Sequence, residues 1–217
     1  MRIAYIVLTC EKYVNTRMSW QKETVFANVD PSDIFYLGHT MKKEERLFSW
    51  GAKDDYQSLP YKFSDFFRYS ALDYDWYFLM DDDTYLYIDR LRNRLTSFVE
   101  NGMNPQQDPY IEGFILNHIA NSEWGCYHSG GAGTLLSARV YEEVCQMFQT
   151  IPTDAPAPHW CADISLGLWT KKIPGIRIEH CDYYHPGCVE EGFNVKEAIT
   201  FHHIATRDDF LKHQAFL

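Results

Sequence analysis

Asp81, Asp82 and Asp83 follow the apolar run Trp76–Met80 without a break, and residues 85–88 are apolar again. Adjacent carboxylates repel one another and form strands poorly, so three of them at the mouth of a buried strand need compensation. A divalent cation supplies it: Mg²⁺ and Mn²⁺ take one or two carboxylates, with phosphate oxygens and water completing the shell. A solvated acidic turn with some capping use is the other standing reading. A calcium loop is excluded, because Leu86 and Arg92 stand where glycine and glutamate are required. A phosphatase-type Asp-x-Asp-x-Thr/Val motif is disfavoured as well, since Tyr85 fills its last position and the cluster lies in mid-chain.

Four further groups could contribute chemistry. "SGGAG" (129–133) frees the backbone at Gly130, Gly131 and Gly133, either for close approach of a sugar or for a tight turn before a helix. Lys62 and Arg17 are cations that could meet a diphosphate or a base edge, although single basic residues on helices are usually solvated. "FHH" (201–203) offers two imidazoles, but a histidine on an apolar strand is more often a hydrogen-bonded core residue. In "HCDYYHPGC" (180–188), Cys181, His185 and Cys188 could bind zinc, yet no second tight Cys/His pair accompanies them, and an acceptor-side loop is the preferred reading.

These groups need a scaffold. A chain of 217 residues is long enough for a rigid core, and 46% hydrophobic with 16% aromatic content excludes disorder. No apolar run approaches the ~20 residues of a membrane span. A net charge of −10 without a basic stripe disfavours nucleic acid. The six cysteines, with no secretory signal, read as thiols, and the expected setting is cytoplasmic. Apolar runs predict strands at 3–8, 33–37, 75–80, 110–116 and 198–204. Helical periodicity predicts helices at 16–29, from Pro60, at 88–99, 137–149 and 162–172, with Arg90, Arg92 and Arg94 on a solvated face. The alternation argues for one α/β sandwich with a mostly parallel central sheet, and Asp81–Asp83 lie at a strand's carboxyl end, where open sheets bind ligands.

Four segments in order resemble the fringe-like glycosyltransferases, which include core-one galactosyltransferase and share the GT-A (Rossmann-like) three-layer fold. They are "DWYFLMDDDTYLYIDRLRNRL" (75–95), "SGGAGTLLSARVYEEV" (129–144), "CADISLGLW" (161–169) and "ITFHHI" (199–204). "TRMSWQKET" (16–24) and the lysine of "LPYKFSDF" (59–66) match more loosely. The resemblance implies a single GT-A domain over 1–217, with a nucleotide-binding half (1–100) and an acceptor-binding half (101–217). It implies transfer of a hexose or deoxyhexose from a UDP-sugar to a glycan or glycoprotein hydroxyl, with Mn²⁺ or Mg²⁺. By the same likeness Asp83 ligates the metal, Asp81 faces the ribose or a metal-bound water, and Asp82 stands beside them or caps the turn. The second protein ligand is His202 or His203. Thr9, Arg17, Lys62 and the three glycines join the donor site, and Asp163 matches the base of an inverting displacement, with a helix N-cap as its alternative role. Two departures stand out: no membrane anchor precedes the domain, which points to a bacterial or viral enzyme, and Ala162 replaces the first of the family's usual two acids. That replacement keeps a silent sugar-nucleotide or glycan-binding module on the same fold as the alternative, with a metal-dependent phosphohydrolase as a third class.

Overall fold

The computed structural model describes residues 1–117, 123–187 and 196–216. The first half runs β1 (Ile3–Leu8), α1 (Arg17–Glu23), β2 (Ile34–Leu37), β3 (Leu47–Phe48), α2 (Leu59–Tyr69), β4 (Trp76–Asp81), β5 (Tyr85–Leu86) and α3 (Ile88–Glu100). The second runs β6 (Tyr110–Gly113), β7 (Ile115–Asn117), β8 (Tyr127–His128), β9 (Thr134–Ser137), α4 (Ala138–Thr150), α5 (Ala162–Thr170), β10 (Arg177–His180), β11 (Tyr184–His185), β12 (Thr200–Phe201) and α6 (Arg207–Gln214).

Seven strands form the central sheet in the order β10-β6-β9-β4-β1-β2-β3. β9 runs against both its neighbours, and every other pair is parallel. Alternate side chains of β1 and β4 supply two cores, as the two-residue strand period requires. Tyr5, Val7, Trp76, Phe78 and Met80 pack with Met18 of α1, Leu91 and Leu95 of α3, and Phe210 of α6. Ala4, Ile6, Tyr77 and Leu79 face the other way, onto Phe66 and Phe67 of α2, Val140 and Val144 of α4, and Leu166 of α5. The result is the three-layer α/β/α sandwich of the GT-A type.

Several elements differ from expectation, for local reasons. α1 stops at Glu23, because Thr24 turns its hydroxyl back to the Trp20 carbonyl and the Phe26 amide donates to Gln21, one residue beyond helical register. The strand expected at 110–116 breaks at Phe114, and its second part leaves the main sheet to pair with β8. Of 198–204 only Thr200 and Phe201 form a strand; His203 takes a left-handed φ of 64°, which a strand cannot continue. The arginines 90–94 are not one solvated face. Arg94 makes a two-pronged ion pair with the fully buried Glu112, through Nε at 2.7 Å and Nη2 at 2.5 Å, and Arg90 donates to the Ala198 carbonyl at 2.8 Å. Cys188 lies outside the described residues; Cys181 is a buried thiol and the His185 ring stacks on Phe201.

Candidate active site

β1 and β4 lie side by side in register, with Leu8 opposite Asp81, so the residues that follow each strand emerge together. The Asp82 amide continues the ladder by donating to the Leu8 carbonyl, and the Thr84 amide donates back to the Asp81 carbonyl and turns the chain there. Beyond that turn β5 pairs antiparallel with β12, Tyr85 opposite Phe201, which returns the next residue, His202, to the aspartates. Two short hydrogen-bonded strands thus join a mid-chain segment to one near the C-terminus.

The three aspartates do different work. Asp82 is buried: Thr9 Oγ1 donates to its Oδ2 at 2.7 Å and Arg17 Nη1 to its Oδ1 at 3.2 Å, and burial raises its pKa to about 6. It anchors the turn through these two hydrogen bonds at the wall of the cavity described below. Asp83 takes His202 Nε2 on Oδ1 at 3.1 Å and Arg17 Nη1 on Oδ2 at 3.3 Å. Burial pushes the Asp83 carboxyl up, but the His202 hydrogen bond and the charges of His202 and Arg17 outweigh it and leave the pKa low. Asp81 is the more open, 3.8 Å from His202 Nε2; desolvation and its acidic neighbours, Asp163 among them, raise its pKa. His202 responds in turn, burial favouring the neutral ring and Asp83 and Asp81 favouring the imidazolium more strongly.

The glycine turn acts on the side chains around it. A Cβ on Gly130 would strike the Asp163 carboxylate, one on Gly131 the His202 ring, and one on Gly133, at φ 99°, the Phe78 ring. Glycine at 130 and 131 therefore lets the acid and the imidazole close in on the backbone. The turn is tied from two sides, by Thr84 Oγ1 donating to the Gly131 carbonyl at 2.6 Å and by the Thr200 hydroxyl donating to Ala132.

Asp163 is the second residue of α5, not its cap; Cys161 holds that position. Burial raises the Asp163 pKa, while the Gly130 amide and the charge of His202 pull it down. Ala162 is 4% exposed and packs into the α2–α4–α5 core. The position where this chain departs from the paired acids thus points away from the site.

A cavity of about 390 Å³ opens over these groups, lined by Thr9, Arg17, Lys62, the three aspartates, His202 and His203. Lys62 is buried rather than solvated, its Nζ donating to the Thr9 carbonyl at 2.8 Å and to Asp54 Oδ1 at 2.7 Å. Tyr13, Asp54 and Tyr56 also line the cavity, and the sequence reading missed all three. Tyr13 stands before the helix expected at 16–29, so no helical spacing marks it, although the Arg17 guanidinium lies 4.0 Å from its ring centre. Asp54 and Tyr56 sit in a polar stretch that carries no periodicity.

The donor set fits a hard divalent cation. Asp83, His202 and His203 each offer one ligand atom, all within 4.8 Å of one another, and mixed oxygen and imidazole donors suit Mn²⁺. Gly131 backs this set at the His202 ring, whereas Gly130 lies against Asp163 and Gly133 against Phe78.

The family model described as Fringe-like matches residues 2–206. Among solved structures, a glycosyltransferase involved in glycosylating the major capsid of PBCV-1 aligns over 100% of both chains, with 15% identity and a TM-score of 0.58. The galactosyltransferase LgtC, in complex with donor and acceptor sugar analogues, aligns over 100% of this chain and 96% of its own, with 13% identity and a TM-score of 0.54. No curated protein matches the chain significantly.

Proposed function

We propose, for a chain that belongs to the Fringe-like family and is a glycosyltransferase of the GT-A type, that it moves a hexose or deoxyhexose from a UDP-sugar to a glycan or glycoprotein hydroxyl. The observation that carries this reading is the meeting of Asp83 and His202, 119 residues apart in sequence, at 3.1 Å at the wall of a cavity of nucleotide size. Asp83 and His202, with His203 beside them, would hold Mn²⁺ or Mg²⁺, and Asp81 would face the ribose or a water on the metal. A bound divalent cation supplies charge stabilisation to the departing diphosphate.

The remaining roles belong to this chain's own side chains. Arg17, stacked on Tyr13, keeps a cation aimed at the donor cavity, and Lys62 places a second beside Thr9. Asp163, held by the Gly130 amide, takes the proton from the acceptor hydroxyl as it attacks the anomeric carbon. Attack from the face opposite the leaving diphosphate makes the transfer inverting. The five cysteines among the described residues are free thiols, which suits a cytoplasmic setting, and no helix among those residues is long and apolar enough to cross a membrane.

Incubation with Mn²⁺, a panel of UDP-sugars and candidate acceptors tests the reading. Acceptor-dependent UDP release with an inverted anomeric centre by NMR is expected. UDP binding without turnover on any pair would favour a silent sugar-nucleotide-binding module, and release of inorganic phosphate would point to a hydrolase.

A further inference from the structure

Four rings run outward from the donor cavity in a chain of contacts. Tyr56 lines the cavity and lies 6.0 Å from Trp160; Trp160 is 5.3 Å from His159, and His159 is 5.7 Å from Trp124. Tyr56 is 66% exposed, Trp160 58% and Trp124 41%. Large rings left in water side by side mark a binding surface rather than a stretch of core.

The segment that carries His159 and Trp160 is pinned to the start of α5. Ser165 of α5 donates its hydroxyl to the His159 carbonyl at 2.6 Å and accepts the His159 amide at 3.2 Å. The Cys161 amide donates to His159 Nδ1 at 3.0 Å, so the neutral imidazole carries its proton on Nε2, a free donor beside the rings. Trp160 immediately precedes the Cys161 cap of the helix whose second residue is Asp163. The Tyr56 hydroxyl feels the charges of Asp163 and Asp81. The row of rings therefore begins at the donor cavity and passes the acid that must meet the acceptor.

We infer that Trp160 and Trp124, with Tyr56 and His159 between the cavity and solvent, form the platform on which a neutral pyranose ring of the acceptor glycan stacks. This rests on the transferase reading above. Apolar C–H faces of a pyranose match aromatic faces, and its hydroxyl edge matches the His159 Nε2–H. Asp55 and Asp81 line the inner end and, with the Asp163 charge that reaches Tyr56, repel an anionic sugar, so a neutral ring is preferred over its uronate.

Titration of ¹⁵N-tryptophan-labelled protein, saturated with UDP and the diamagnetic Mg²⁺, tests the platform. Methyl glycosides of glucose, galactose and rhamnose, and the methyl glucuronide, are added up to about 100 mM while the indole N–H signals are followed. Saturable shifts of the Trp160 and Trp124 signals with a neutral glycoside are expected, with weaker binding of the glucuronide. Trp160→Ala should weaken that binding about tenfold with UDP affinity and melting temperature unchanged, and Trp160→Phe should restore most of it. Unmoved indole signals, unchanged affinity in Trp160→Ala, or a glycoside that a UDP-sugar displaces and UDP does not would overturn the platform while UDP binding by calorimetry leaves the transferase reading standing. Failure of the wild-type protein to bind UDP would sink the transferase reading, and the acceptor platform with it.

Discussion

Asp83 is held ionised in a half-buried place by the Arg17 guanidinium and by the His202 ring, whose pKa the neighbouring carboxylates raise. Such a carboxylate is ready to exchange a protein partner for a metal without first losing a proton. Asp83→Asn removes the charged ligand and leaves the diphosphate charge uncompensated. UDP affinity in Mn²⁺ should fall about 100-fold or more by calorimetry, and the wild type should lose a similar factor in EDTA. Equal UDP binding with and without the chelator would refute the metal assignment. Asp163 makes a different case, since its carboxyl is raised by burial and must be ionised to accept a proton. Transfer should therefore fall as pH drops through a value above the ordinary carboxylate range, and the pH dependence of kcat/KM measures it. Asp163→Asn should lower kcat about 10²- to 10⁴-fold. Its stability should change by less than about 1 kcal/mol, because Asp163 is not at the N-cap position, which Cys161 holds, and asparagine loses only a first-turn charge. Full activity in that variant would remove Asp163 from the chemistry.

Between the residues and the sheet stands the turn Gly130–Gly133, which presses against Asp163, His202 and Phe78 at successive glycines. The three positions predict different losses. Gly131→Ala pushes the His202 ring off Asp83, so UDP affinity in Mn²⁺ should drop about tenfold or more with a smaller change in melting temperature. Gly133→Ala adds a Cβ at a left-handed φ and against Phe78, so stability should fall by roughly 1–3 kcal/mol in urea. The reverse ranking would mean that the turn shapes the core and not the site. What the sequence discloses at this scale follows from length and pattern. β1, β2 and β4 are uninterrupted apolar runs, and α2, α3 and α4 carry clean helical stripes, so all six are readable. β9 is four buried residues between a glycine turn and a helix, too short for any period to register. β10 is a polar outer strand and α6 a polar helix whose cap, Thr206 accepting the Asp209 amide at 3.2 Å, gives only a weak start signal. In the site, the triple aspartate and the paired histidines are conspicuous as residue types. Their contact is not, since it depends on β5 meeting β12 across most of the chain.

At the scale of the molecule, the layers are tied together away from the site by one buried acid. Glu112 of β6 accepts both prongs of Arg94 from α3, and the hydroxyls of Tyr110 at 2.6 Å and Tyr184 of β11 at 2.9 Å. The sheet, the α3 layer and the small β11-β12-β5 sheet that delivers His202 are thus fastened at a single carboxylate. Removing only the arginine strands that charge in the interior, so Arg94→Ala should cost about 3–5 kcal/mol in urea denaturation. Replacing both members, as Arg94→Met with Glu112→Leu, removes the unpaired charge but leaves the Tyr110 and Tyr184 hydroxyls without their acceptor. The double variant should recover part of the loss and still lie about 1–3 kcal/mol below the wild type. The fraction that stays folded should bind UDP as the wild type does, because none of the four side chains lines the donor cavity. An Arg94→Ala cost below about 1 kcal/mol would mean that water or rearrangement compensates Glu112, and that the layers are joined by apolar packing alone.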